Sequence, residues 1–217
     1  MKKRKMIRGI FSTIRNNSLS IILFVLFLLC SFAESIAGWK LQSETLIEHG
    51  LAKVGYWHNL CSNTYINGLA SNWQAAFLQL AALILFSGYF FQRGAPHSRN
   101  PQKIKSKHFE KSKRFSWLYR NSLSFAFLLL FIASLVIYII SGHHAYNEEC
   151  LMNKQSPISI SSFLLSAKFW SSILQTWQAE FLAIALFVVL SIFLRQQNSP
   201  ESKPLGASDK TTGKVNK

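Results

Sequence analysis

Acidic residues are scarce in this chain: nine Asp and Glu stand against 24 Lys and Arg, and charged residues of both signs make up only 15% of the sequence. Soluble domains carry roughly a quarter charged residues. A fraction this low, beside 49% hydrophobic residues and 18 Phe, points to lipid as the solvent for much of the chain. Proline is missing from every long apolar run. The five prolines (Pro96, Pro101, Pro157, Pro200, Pro204) all lie outside those runs, so no span has a broken backbone ladder for a neighbour to repair. Also missing are a nucleophile elbow, a phosphate-binding loop, a paired-carboxylate pattern and an HExxH helix. An enzyme reading therefore has no residue to start from, and no cofactor is expected.

What is present is four apolar stretches: 19–38, 73–91, 123–142 and 177–194. At about 1.5 Å of rise per residue each is long enough to cross a hydrocarbon core of about 30 Å as a helix. The cations are distributed unevenly around them. Six precede the first stretch (Lys2, Lys3, Arg4, Lys5, Arg8, Arg15), nine lie between Gln92 and Arg120, and five follow Phe193. The two remaining connections hold only Lys40, Lys53, Lys154 and Lys168. Cationic segments resist translocation, so this asymmetry predicts that both termini and the central linker are cytoplasmic. The basic segments set topology and meet anionic lipid headgroups. No aromatic reading platform accompanies them, and no nucleic-acid partner is expected. The first stretch, with Ser35-Ile36-Ala37 before Gly38, superficially resembles a secretory signal, but it is long for one and an equivalent helix recurs in mid-chain.

That recurrence is general. Shifting the chain by 104 residues aligns 17–98 with 121–202 without a gap, and about a quarter of the positions are identical. Asn17-Ser18-Leu19-Ser20 falls on Asn121-Ser122-Leu123-Ser124, Gly38 on Gly142, and Trp73-Gln74-Ala75 on Trp177-Gln178-Ala179. Each copy reads cytoplasm, helix, outer loop, helix, cytoplasm. The expected fold is therefore an all-α membrane protein of four transmembrane helices, arranged as two parallel tandem two-helix repeats about a pseudo-twofold axis along the membrane normal. The organisation runs as a basic N-terminus (1–16), repeat one (17–98, outer loop 39–72), a basic linker (99–120), repeat two (121–202, outer loop 143–176) and a disordered polar tail (203–217). Asn17, Ser18, Asn121 and Ser122 can cap the first and third helices.

The outer loops are too long for plain turns and should carry short interfacial helices. Phe163, Trp170, Ile173 and Trp177 form an apolar stripe in the second; Tyr56, Leu60, Tyr65, Ile66 and Leu69 do so less regularly in the first. Trp73 and Trp177 are expected to anchor at the membrane interface. Two acids fall inside the spans, Glu34 and Glu180. An intramembrane acid is costly and usually faces a bundle interior, so with Gln74 and Gln178 these make a candidate polar site. Gln79 and Gln175 add polarity at the same ends, and helix-to-helix hydrogen bonding is the plain alternative to a solute path. Cys30 lies in a span. Cys61 and Cys150 lie in the two outer loops, where a disulfide between them is allowed. His49, His58, His143 and His144 lack the spacing of a zinc site, and no metal is expected.

Several local runs carry a family likeness. Tyr146-Asn147-Glu148-Glu149, Phe169-Trp170, the segment Trp177 to Leu182, Leu190 to Gln196 and Ser199 to Pro204 resemble a bacterial membrane family catalogued as domain of unknown function 6766. The N-S-L-S openings and the pair His49-Gly50 extend the resemblance to nearly the whole chain. The sequence departs from the family pattern at Ala76, where a glutamate is suggested, and at Asn153-Lys154, which replaces a second His-Gly pair. The resemblance implies the fold and a location in the bacterial inner membrane, and brings no activity with it. The first functional expectation is a non-enzymatic structural or accessory membrane protein, as a homo-oligomer or within a larger membrane complex. The second is a small transporter or channel with its site near Glu34 and Glu180, and the third a periplasm-facing redox component using Cys61 and Cys150.

Overall fold

The computed structural model describes residues 14–98 and 116–213. Most of the basic N-terminus and linker, and the last four residues, lie outside that range. Among the described residues the chain is helical, with no strand. In order come α1 (Ser18–Glu48), α2 (Tyr56–Leu60), α3 (Asn63–Tyr89), α4 (Trp117–Arg120), α5 (Ser122–Met152), α6 (Ile160–Leu164) and α7 (Ala167–Phe193). The four long helices, α1, α3, α5 and α7, are each long and apolar enough to cross a bilayer, which makes this a multi-pass membrane protein. The chain divides into two compact units, residues 1–65 and 66–217, with α3 beginning in the first and continuing in the second.

The helices overrun the apolar stretches. At 31 residues α1 and α5 are about 46 Å long, well beyond a core of about 30 Å. Much of what reads as outer loop (39–72 and 143–176) is therefore helix. Hydropathy marks where the solvent changes, and helix ends are marked by capping chemistry instead. Gly38 and Gly142, where the apolar stretches stop, lie inside helices. α1 ends at Glu48, two residues before Gly50, which takes φ +73° while the Leu51 N–H reaches back to the Leu46 carbonyl at 2.8 Å. α5 ends the same way with Lys154 at φ +56° and Gln155 N–H on the Cys150 carbonyl at 2.7 Å. At the opposite ends, Asn17 and Asn121 occupy the N-cap positions without side-chain caps, and the Asn121 amide bonds back to the Trp117 carbonyl instead. Serine caps form elsewhere: Ser62 on Tyr65 N–H, Ser116 on Tyr119 N–H, Ser159 on Ser162 N–H and Ser166 on Phe169 N–H.

Helix bounds recur at the 104-residue offset: shifted by that amount, α1, α2 and α3 give the bounds of α5, α6 and α7. The left-handed residues follow suit, Gly50 with Lys154 and Gly94 with Asn198.

In the first unit α2 folds back onto the C-terminal half of α1. Ser35 Oγ and Tyr56 OH lie 2.8 Å apart, and the Trp39 indole N–H donates to the Val54 carbonyl at 2.7 Å. In the second unit the core gathers toward the N-terminal ends of α3 and α7, where Ala70, Tyr138, Phe163, Phe169 and Ile173 pack together. The two expected short loop helices are present as α2 and α6. Phe163 on the five-residue α6 is a buried core side chain, and Trp170 and Ile173 belong to the long α7. The buried residues of α3 are Ala70, Gln74, Ala75, Ala81 and Ala82, while Phe86 and Tyr89 are exposed. Small residues inside and large apolar ones outside is the pattern hydrocarbon favours, since close backbone approach brings helices together there.

Through residue 213 the tail forms a series of turns that pack back on the end of α7. Arg195 donates to the Ile192 and Leu194 carbonyls, and Lys203, 3% exposed, donates to those of Ile192 and Asp209. Two cations thus close the C-terminal end of α7, where unpaired carbonyls and the helix dipole favour positive charge. Burial, and secondarily the charge of Arg195, hold the Lys203 ammonium below the usual lysine range, with Asp209 opposing. The tail then docks on the turn after α3: the Gly94 N–H donates to Thr212 Oγ1 at 2.8 Å and the Gly213 N–H to the Ala95 carbonyl at 3.1 Å.

Candidate functional site

A polar seam runs within the second unit along α3, α5 and α7. Asn67, Ser71 and Gln74 fall at helical spacing on one face of α3, and Ser172, Thr176 and Glu180 do so on α7. Asn67 Nδ2 donates to the Tyr138 carbonyl at 2.9 Å, and the Tyr138 hydroxyl donates to Ser172 Oγ at 3.1 Å. Gly142 makes the first contact possible, because a Cβ there would lie 2.6 Å from Asn67 Nδ2. Gln74 is fully buried and uses both ends of its amide: Nε2 donates to the Ser71 carbonyl at 3.0 Å and to Thr176 Oγ1 at 3.5 Å, while Oε1 accepts the Trp177 indole N–H at 2.7 Å. Further along, Gln79 Nε2 donates to the Glu180 carbonyl at 3.2 Å. Gln74 with Thr176, and then Gln79 with Glu180, ascend both helices together, so α3 and α7 run in the same direction. Beyond them His97 meets Glu201, with Nδ1 3.4 Å from Oε2 and Nε2 3.0 Å from the main-chain oxygen. These two residues are themselves 104 apart.

The seam contains only part of the site expected from sequence. Gln74 is its centre, but Gln178 and Gln175 are exposed and outside it. Glu180 is half-buried and takes part through its main-chain carbonyl. Glu34 belongs to the first unit, exposed on α1, where Tyr65 hydrogen-bonds it. Trp73 is 42% exposed, whereas Trp177 is partly buried with its indole N–H committed to Gln74. All three cysteines are free thiols; Cys61 is exposed in the first unit and Cys150 is buried in the second. Among the described residues, no three His, Cys, Asp or Glu side chains come together as a metal site.

Asn67, Ser172 and Thr176 escape the sequence reading because the apolar stretches begin only at Trp73 and Trp177, after all three, whereas α3 and α7 begin at Asn63 and Ala167. The four- and three-residue spacing of Asn67, Ser71 and Gln74 marks a polar face once the helix is begun at Asn63.

The model of the family described as "Domain of unknown function (DUF6766)" matches residues 10–214, nearly the whole chain. The chain belongs to this family. No curated protein matches it, and no solved structure does. In this DUF6766 chain the motif W-Q-A-E-F-L at Trp177 to Leu182 thus acquires a local meaning: its tryptophan donates across the seam and its glutamate main chain receives Gln79.

Proposed function

We propose that this protein is a non-enzymatic structural or accessory component of the bacterial inner membrane, with both termini in the cytoplasm. Its halves are tandem copies inserted in the same direction, and its partners are the bilayer, anionic headgroups at the basic segments, and further copies of itself or a larger membrane complex. The observation that carries the functional part is Gln74. The one fully buried amide of the candidate polar site spends its donors and its acceptor on Ser71, Thr176 and Trp177. Polar groups paired in this way hold helices together in hydrocarbon and leave little for a passing solute. Shared helix bounds at the 104-residue offset, the parallel run of α3 and α7, and the meeting of His97 with Glu201 support the tandem reading. The cation asymmetry supports the orientation.

The experiment is flux. Reconstituted into proteoliposomes, the protein should pass protons and alkali cations no faster than empty vesicles, and Glu34→Gln and Glu180→Gln should change nothing. A proton or cation flux abolished by either substitution would replace this reading with that of a small transporter or channel.

A further inference from the structure

Between the inner halves of α3 and α7 lies an open groove of about 380 Å³, within the size range of specific small-molecule sites. Its walls are hydrocarbon: Phe86 and Phe90 on one side, Ile184, Ala185 and Val188 on the other. One end is polar, closed by Gln92, His97 and Ser98. His97 is held there by Glu201 and by the Phe187 ring, whose centroid is 4.6 Å from its own.

We propose that this groove holds one acyl chain of an anionic glycerophospholipid, with the phosphate at the Gln92–His97 end. Three observations choose this occupant. Along α7 the lining runs from Phe181 to Val189, about 12 Å, less than half of a core of about 30 Å, so the groove fits a chain from one leaflet only. The polar end lies where α3 and α7 terminate, at Tyr89 and Phe193, the depth at which headgroups meet spanning helices. The segments around that end, 92–98 and 194–213, carry Arg93, Arg195, Lys203 and Lys210 against Glu201 and Asp209; Arg195 and Lys203 are committed to the end of α7, and the exposed Arg93 and Lys210 are left to match a phosphate. Arg93, exposed and next to Gln92, is the cation best placed to supply it. The proposal rests on the membrane reading above and names the lipid class that the inner face selects.

Native mass spectrometry tests it, on the full-length protein in mild detergent given equal phosphatidylglycerol and phosphatidylcholine. The wild type should retain one phosphatidylglycerol adduct with a several-fold preference over phosphatidylcholine. Ala185→Trp, which fills the groove, should lose the adduct. Leu186→Trp, at a neighbouring position that does not line the groove, should keep it, and Arg93→Gln should keep the adduct while losing the headgroup preference. Ala185→Leu, a milder filling, serves if the Trp variant fails to fold. Equal retention of the two lipids by the wild type, or an unchanged adduct in the groove-filling variant with intact helical circular dichroism, overturns the proposal. A missing adduct would leave the accessory reading standing, and an ion flux would remove that reading without touching the adduct.

Discussion

The loops following α1 and α5 solve one backbone problem with different side chains. Trp39 donates its indole N–H to the Val54 carbonyl at 2.7 Å; 104 residues on, His143 Nε2 lies 2.8 Å from the Ile158 carbonyl, and since a carbonyl only accepts, the ring nitrogen donates. Asn147 then clamps Ile158 from both sides, accepting its N–H at 2.9 Å and donating to its carbonyl at 3.1 Å. The first half has Ser43 at that place, buried and unpaired among the described residues. It also has Asn59, 1% exposed and likewise unpaired, where the second half packs Phe163 into its core. Backbone geometry thus recurs at the 104-residue offset while the side-chain chemistry on it differs. The second half has resolved its buried polar positions more fully than the first.

Breaking the shared geometry should have the largest effect. Gly94 has φ +86°, and a Cβ there would sit 2.6 Å from the Asp209 main-chain oxygen, so Gly94→Ala combines backbone strain with a clash against the tail. A loss of about 3 kcal/mol is expected, seen as a fall in the thermal midpoint of the detergent-solubilised protein. Asn198→Ala, at the matching left-handed position, should cost less because asparagine already bears a side chain there. Equal losses would place all of the cost in the backbone.

Making the first half resemble the second should stabilise it. Asn59→Leu removes a buried unpaired amide and should raise stability by about 2 kcal/mol in the same melt. A fall instead would show that the amide has a partner outside the described residues.

The smallest effect separates two glutamines that a sequence alignment makes equivalent. Gln74→Leu leaves the Trp177 N–H without its acceptor and should cost about 1 kcal/mol, with a change in tryptophan emission, whereas Gln178→Leu, on an exposed position, should be near neutral. Similar costs for both would contradict the seam as drawn.

How much of this could be read from sequence follows from what each signal measures. Hydropathy finds the four spans because apolar side chains must match hydrocarbon, yet it stops α1 at Gly38 although the helix runs on to Glu48. Leu41, Gln42, Glu44 and Leu46 are ordinary helix formers, and the stop comes only with the left-handed Gly50. The self-alignment finds the offset at which helix bounds later recur, since identities such as Trp73 and Trp177 survive, but it cannot tell that Gln74 is buried and Gln178 exposed. That difference depends on which neighbours pack against each residue. The polar tail reads as disorder from composition, because few apolar side chains hold it. It is held instead by Arg195 and Lys203 on main-chain carbonyls, which composition does not register.

The central claim is a four-span chain with its cationic stretches on one side of the membrane. Alkaline phosphatase fusions after His58 and after Ser106 test it most directly. The account predicts high activity, and therefore export, for the first, and no activity for the second. Equal activity at the two positions would put both connections in one compartment and contradict it.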